Sequence, residues 1–184
     1  MRIRQIGDPI LREVSKAVLV NEIGTPKISE LISRMKDILD GIKAISDENG
    51  NALSAPQVGS LCRLIVLRID GEFQVMINPE FTPLSDMTFE FEEECFSLYD
   101  QRATLQRFYE GDVAYLDEDG TRRSQVLLGE NAGLVQHEID HLDGILFLDR
   151  LEKMGRQAKS VDETLNDQPE RLAQVKRMMD YMTG

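Results

Sequence analysis

Both histidines of the chain lie in one short stretch, residues 137–141, which reads His-Glu-Ile-Asp-His. Residues four apart on an α-helix lie on the same face, one turn from each other, so both imidazoles can bind a single metal ion. Glu138 then lies where it can exchange a proton with a water molecule beside the metal. The stretch therefore predicts a helix that carries a hydrolytic metal centre, with His137 and His141 as two of the ligands.

A catalytic site of this type needs a third protein ligand and one open position. A metzincin-type protease would have a third histidine at Phe147, and the chain contains no further histidine. Glu163 lies at about the distance at which thermolysin-like proteases place a glutamate, so it remains an alternative on spacing alone. A cysteine thiolate, which binds zinc and ferrous iron well, is the other alternative. Cys95 is favoured over Cys62, because Cys95 follows an acidic stretch whereas Cys62 precedes an apolar strand.

The size and charge of the chain exclude several classes of protein. Its 184 residues are enough to bury a core, and we expect a single domain over residues 1–184. Two cysteines do not make a disulfide framework. The net charge of −12 argues against binding to DNA or to an anionic membrane, and no apolar run approaches the roughly 20 residues that cross a bilayer. Since the N-terminus lacks an apolar signal segment, a cytoplasmic location is expected.

The hydrophobic pattern predicts an α+β fold. Apolar residues recur at helical spacing over 28–42, which indicates a helix. A β-hairpin is predicted from 61–69 and 73–77, turning at Asp70-Gly71 and ending at Asn78-Pro79, and a second from 112–116 and 121–128.

Two more helices are predicted in the second half of the chain. The first runs over 132–142 with Gly144 as its C-terminal cap. The second lies at about 168–182, where Asp167 and Glu170 resemble a capping box. A helix followed by many strands and then by further helices is typical of α+β proteins.

Three motifs, in the same chain order, resemble those of the peptide deformylase family. Residues 50–57 (Gly-Asn-Ala-Leu-Ser-Ala-Pro-Gln) resemble its glycine-rich motif, residues 93–97 (Glu-Glu-Cys-Phe-Ser) its cysteine motif, and residues 136–144 its histidine motif. With weaker likeness near the N-terminus, the resemblance covers roughly residues 3–150. It implies mixed and antiparallel β-sheets around a central metal-binding helix.

The resemblance implies an enzyme that removes the formyl group from N-formylmethionyl peptides during protein synthesis. It places one divalent metal, Fe²⁺ in cells or else Zn²⁺, Ni²⁺ or Co²⁺, on Cys95, His137 and His141. Glu138 would be the general base, and the Gln57 side chain with the Phe96 backbone N–H would form the oxyanion hole. The implied contacts with the peptide are Asn51, Ala52, Leu53, Glu94, Arg102, Glu130, Gly133 and Leu134.

The chain departs from the family pattern at the implied substrate site. Asn51, Glu130 and Gly133 make the methionine pocket more polar and roomier, which leaves open an altered preference among N-formyl or N-acyl substrates. Glu94 stands where the family has glycine, and Tyr99 where it has proline. A further alternative is therefore a weakly active binding protein whose cleft is obstructed by Glu94.

The C-terminal segment gives predictions about partners. In some deformylases a basic tail docks on the ribosome, but residues 151–184 contain six Lys or Arg and six Asp or Glu. Ribosome contact by that route is therefore not supported. Leu172, Val175 and the methionines of the segment are predicted to pack on the body of the protein or on a second subunit, so that a monomer and a homodimer both remain open.

Overall fold

The computed structural model describes residues 2–184, which form five α-helices and eight β-strands. The helices are α1 (Pro26–Lys43), α2 (Gly129–Leu142), α3 (Phe147–Lys153), α4 (Val161–Thr164) and α5 (Pro169–Thr183). The strands are β1 (Ala52–Ser54), β2 (Leu64–Ile69), β3 (Glu72–Pro83), β4 (Thr88–Glu94), β5 (Gln101–Phe108), β6 (Glu110–Leu116), β7 (Arg122–Leu128) and β8 (Lys159–Ser160). Within residues 2–184, no helix has both the length and the apolar character needed to cross a bilayer.

The strands form two antiparallel sheets with α2 between them. Five strands pair in the order β1-β2-β3-β6-β7, and three pair in the order β4-β5-β8. Helix α2 contacts strands of both sheets, among them β1 and β2 of the first and β4 and β5 of the second. The predicted α+β fold around a central helix is therefore confirmed, and the helix that carries both histidines lies inside the molecule.

Helix α2 begins three residues before its predicted start and ends at the predicted Leu142. Its buried apolar residues, such as Val135 and Leu142, pack with Ile65 and other core side chains of the five-stranded sheet. Gly144 follows the helix with φ +70°, as expected of a glycine C-terminal cap. A Cβ atom at Gly144 would lie 2.6 Å from the Arg12 carbonyl oxygen, so glycine also permits the N-terminal segment to approach the end of the helix.

The structure corrects the strand predicted to end at Asn78-Pro79, and the strand predicted from residue 61 begins at Leu64. Strand β3 does not stop at Asn78-Pro79 but continues to Pro83, with a register shift between Ile77 and Glu80. Asn78 has φ +53°, and its side chain accepts the Val18 N–H at 2.8 Å and donates to the Val18 carbonyl at 2.9 Å. A bulge accommodates a proline that cannot donate to the ladder, so the Asn-Pro pair bends the strand instead of ending it.

The C-terminal helix packs on the body of the protein. Helix α5 covers the predicted segment, and its residues Val175, Met178 and Met182 are buried in the same apolar cluster as α1 residues. Its N-cap is Gln168, without a side-chain hydrogen bond. The predicted capping box of Asp167 and Glu170 was therefore wrong, and burial of the apolar face holds the helix in place.

Candidate metal centre

Three potential metal ligands converge between β4 and α2. Cys95 directly follows β4, and its Sγ lies 3.2 Å from His141 Nε2. The His137 and His141 ring centroids are 4.9 Å apart. The potential ligand atoms of Cys95, His137 and His141 all lie within 4.8 Å of one another, and all three residues are buried. The fold thus brings together a sulfur and two imidazoles that the sequence places on different elements.

This donor set fits a divalent metal ion. Zinc–sulfur bonds of about 2.3 Å and zinc–nitrogen bonds of about 2.0–2.1 Å put neighbouring ligand atoms roughly 3–4 Å apart in a tetrahedral site. The 3.2 Å between Cys95 Sγ and His141 Nε2 lies in that range. His137 Nδ1 lies 2.5 Å from Glu93 Oε2, which leaves its Nε2 free for a metal. Burial lowers the pKa of His141 well below its ordinary value, so this imidazole is neutral, as a ligand must be.

The alternative ligands lie elsewhere. Glu163 is exposed on α4, and its carboxylate accepts the Ser160 N–H at 2.9 Å. Cys62 is partly buried just before β2, with its Sγ 3.5 Å from the Ser60 hydroxyl. Neither residue belongs to the cluster of Cys95 and the two histidines. The geometry therefore favours the cysteine alternative with Cys95 over the thermolysin-like alternative.

A buried network of charged side chains, formed by Glu93, Arg107 and Asp140, holds His137 in place. Arg107 Nε donates to Glu93 Oε1 at 2.7 Å, and Arg107 Nη1 donates to Asp140 Oδ2 at 2.7 Å. Burial raises the pKa of Glu93, but the contacts with His137 and Arg107 outweigh burial and hold that pKa below its ordinary value. An ionised Glu93 fixes the His137 ring and its tautomer, as carboxylates behind metal-bound histidines commonly do.

Sequence analysis assigned no role to Glu93, Arg107 or Asp140, although a signal for the first was present. Side chains two apart on a strand share a face, so Phe91 and Glu93 on β4 share a face, and Cys95 directly after the strand continues the alternation. All three are buried, and this alternation would have placed Glu93 beside the metal ligand. Arg107 has no comparable local signal, because only the pairing of β5 with β4 brings it there.

Gln57 directs its amide nitrogen towards Cys95. Gln57 lies in the short 3₁₀-helix Ala55–Val58, and its Oε1 accepts the Ser54 N–H and the Ser54 hydroxyl, both at 2.9 Å. Its Nε2 lies 3.7 Å from Cys95 Sγ and donates to Ser97 Oγ at 3.2 Å. Because Ser54 fixes the orientation of the amide, an N–H donor is held beside the metal centre.

Glu138 is a buried carboxyl group next to the same ligands. Its Oε2 has no hydrogen-bond partner within residues 2–184. Burial, partly opposed by the neighbouring His137 and by a hydrogen bond with Ser54, raises the pKa of Glu138 to about 7. A buried, unpaired carboxyl oxygen is costly and is typical of a group that interacts with a substrate or water.

A cavity of about 310 Å³ reaches the metal centre. Besides Cys95 and His137, it is lined by Gln57, Glu138 and Phe96. Five of the residues expected to contact the peptide also line it: Asn51, Ala52, Glu94, Glu130 and Leu134. One cavity thus contains most of the predicted site.

Three of the residues expected to contact the peptide do not line this cavity. Leu53 is fully buried in the core of the protein. Gly133 lies under the Phe91 ring, where an added Cβ would be 2.5 Å from Cδ2. Arg102 lines a neighbouring cavity, where its Nη1 pairs with Glu94 Oε1 at 2.5 Å. These positions do not support direct contact of the three residues with a ligand in the cavity.

Glu94 lines the cavity without closing it. Its carboxylate pairs with Arg102, and Cys95 and Glu138 line the same cavity with Glu94 in this position. Burial raises the pKa of Glu94 despite the nearby charge of Arg102. The alternative of a cleft obstructed by Glu94 is therefore not supported.

Removal of the metal with a chelator is expected to abolish hydrolysis and leave the chain folded, because a chain of this size with three buried apolar clusters does not need a structural metal for stability. The melting temperature should fall by a few degrees, since the ion binds only the native state. Circular dichroism and metal analysis, before and after chelation, check this. Full activity in metal-free protein would contradict the assignment of the site.

Comparison with known proteins identifies the family. The family model described as polypeptide deformylase matches residues 1–157. A peptide deformylase of Treponema pallidum is 34% identical over 157 residues, which cover 85% of this chain and 91% of the relative. One of Pseudothermotoga lettingae is 36% identical over 149 residues, covering 80% of this chain and 81% of the relative.

Solved structures give the same result. A class I type b peptide deformylase of Acinetobacter baumannii superimposes with a TM-score of 0.72 at 32% identity, covering 82% of this chain and 98% of the other. The Thermotoga maritima peptide deformylase has a TM-score of 0.69 at 32% identity, with 80% and 95% covered. The protein therefore belongs to the peptide deformylase family, the metal-dependent hydrolases that remove the formyl group from the N-terminus of newly made peptides.

Proposed function

We propose that this cavity binds N-formylmethionyl peptides and hydrolyses the formyl amide with Glu138 as the proton-transferring residue. The observation that carries the proposal is the convergence of the three metal ligands, Glu138 and Gln57 in one cavity. A general base must lie within reach of the reacting water, and Glu138 supports that role because it lines the cavity with an unpaired Oε2.

The residues divide the chemistry among themselves. Cys95 and the two histidines would hold a divalent ion, which would supply Lewis acidity to polarise the formyl carbonyl and to make nearby water more acidic. Glu138 accepts a proton from the attacking water and delivers it to the peptide nitrogen as the carbon–nitrogen bond breaks, which yields formate and a free amine. Gln57 Nε2 and the Phe96 N–H donate to the formyl oxygen, on which negative charge develops.

Fe²⁺ is the metal that we propose for the protein in cells. A set of one thiolate and two imidazoles suits Fe²⁺, Zn²⁺, Ni²⁺ and Co²⁺, and affinity does not choose among them. Preparation under anaerobic conditions, followed by metal analysis and activity measurement with each ion, tests this proposal. Higher activity of the zinc form than of the anaerobic iron form would refute it.

The metal-loaded protein is expected to release formate from formyl-Met-Ala-Ser and to leave acetyl-Met-Ala-Ser intact. The apolar Phe91 and Leu134 of the cavity suit a methionine side chain, whereas Asn51 and Glu130 add polar groups. A comparison of kcat/KM for formyl-Met, formyl-Gln and formyl-Ala tripeptides decides between ordinary and altered preference. Absence of formate release at full metal occupancy would contradict the proposed function.

We also propose that the protein acts as a single domain in the cytoplasm, where protein synthesis supplies formylated peptides. The apolar face of α5 is buried against the body, so it does not require a second subunit. With balanced charge in residues 151–184, docking on ribosomal RNA through this helix is not part of the proposal. Sedimentation of the protein alone measures whether it is a monomer, and sedimentation with ribosomes measures whether it binds them.

A further inference from the structure

One side chain of the cavity comes from the segment beyond the family match. The family model ends at residue 157, and Arg171 lies in the first half of α5. Its side chain lines the same cavity as Cys95 and Glu138. The C-terminal helix of this chain therefore contributes a positive charge to the site in which the peptide is proposed to bind.

The core holds this part of α5 in place. Val175 and Met178, one and two turns after Arg171, are buried in the main apolar cluster. The Tyr99 hydroxyl donates to Met178 Sδ at 3.4 Å, and Tyr99 stacks on Phe96, with ring centroids 6.0 Å apart. Contacts of this kind connect the helix to the loop that follows Cys95, so the position of Arg171 is fixed relative to the metal centre.

Arg171 is the more available of the two arginines that line the cavity. Arg68 pairs with Asp40 at 2.5 Å, lies over the Phe73 ring, and has a side chain only 12% exposed. The side chain of Arg171 is 39% exposed and lies 3.4 Å from Glu48 and 3.8 Å from Glu94. Charge-assisted hydrogen bonds between such groups are usually about 2.7–2.9 Å long, so Arg171 can donate to another acceptor.

Because the cavity is lined mainly by negative charge, binding of an anionic substrate there depends on Arg171. Four of the lining residues are glutamates, apart from Glu138: Glu48, Glu92, Glu94 and Glu130. Without Arg171, the other arginine of the cavity is Arg68, which is already paired with Asp40. With Arg171, one guanidinium group can bind a peptide carboxylate.

We infer that Arg171 is a specificity-determining residue that binds an acidic side chain at the second or third position of the formylated peptide. The inference rests on the proposed function. It assigns to α5 a role in substrate selection in addition to its packing on the body.

Steady-state kinetics with C-terminally amidated peptides test the inference. Formyl-Met-Glu-Ser amide is compared with formyl-Met-Gln-Ser amide, and formyl-Met-Ala-Glu amide with formyl-Met-Ala-Gln amide. Arg171→Gln is expected to raise KM for the preferred glutamate peptide about fivefold, with kcat unchanged, and to change KM for its glutamine partner less than twofold. Arg171→Lys should restore part of the difference, because it keeps the charge.

Matched controls separate recognition from packing. Arg177 lies on the exposed side of the same helix and does not line the cavity, so Arg177→Gln should leave all four peptides unaffected. Equal glutamate-to-glutamine ratios in wild type and Arg171→Gln would overturn the inference, as would an equal shift in Arg177→Gln. Failure of the proposed function would look different, because metal-loaded wild type would then release no formate from any of the peptides.

Discussion

Replacement of Glu138 by Gln is expected to lower the rate of formate release by about 10²–10⁴-fold, the usual contribution of a general base. Glutamine keeps the size of the side chain but cannot accept the proton of the attacking water. Metal content should stay the same, because Glu138 is not one of the three converging ligands. Stability should stay the same or rise, because a neutral amide costs less to bury than a carboxyl group that can ionise. Formate release, metal analysis and thermal unfolding measure the three effects.

Glu90→Gln is the matched control for this substitution. Glu90 is exposed on β4 and does not line the cavity, so its replacement should change none of the three measurements. Activity of Glu138→Gln within tenfold of wild type would show that another group transfers the proton. Loss of metal along with activity would instead place Glu138 among the groups that hold the ion.

Replacement of Arg107 by Met is expected to cost about 3–5 kcal/mol of unfolding free energy, because it leaves the buried carboxylates of Glu93 and Asp140 without their shared partner. Metal affinity should fall by about 10–100-fold, since Glu93 orients His137. Urea unfolding and metal competition with a chelator measure the two effects. Asp140 retains its contact with Arg150, so the larger electrostatic change falls on Glu93.

Arg123→Met is the control, because Arg123 is an exposed arginine on β7 whose ion pair with Asp117 is open to water. Its replacement should leave stability and metal affinity nearly unchanged. If Arg107→Met does not fold, Arg107→Lys keeps one charge between the carboxylates and should fold with intermediate metal affinity. Wild-type stability and metal affinity in Arg107→Met would show that the buried charges do not support the metal centre.

The parts of the fold that depend on local pattern were predictable from the sequence. Helical spacing over 28–42 gave α1 to within two residues at each end, and Asp70-Gly71 and the turn after Leu116 gave both hairpins. The Asn78-Pro79 pair was misread because a bulge depends on a partner outside the strand, the backbone of Val18. The capping box before α5 failed for a similar reason, since burial against α1 sets the position of that helix.

The site was predictable where residue type alone carries the chemistry. The chain has only two histidines, which left little choice for two ligands. The acidic stretch before Cys95 favoured it over Cys62, and the resemblance added Gln57. Arg107 and Arg171 were not found, because each reaches the site only through tertiary packing of β5 or α5. Placement of Arg102 beside Glu94 also depends on strand pairing, in which the two residues are direct partners.

The metal ligands come from separate parts of the fold, and this determines when the metal can bind during folding. Cys95 follows a strand of one sheet, and His137 and His141 lie on the helix that packs between both sheets. A complete ligand set therefore exists only after these layers have docked, late in the maturation of the chain. Incorporation of the ion consequently distinguishes mature molecules from incompletely folded ones, and a newly synthesised copy acquires its catalytic power at the last stage of assembly.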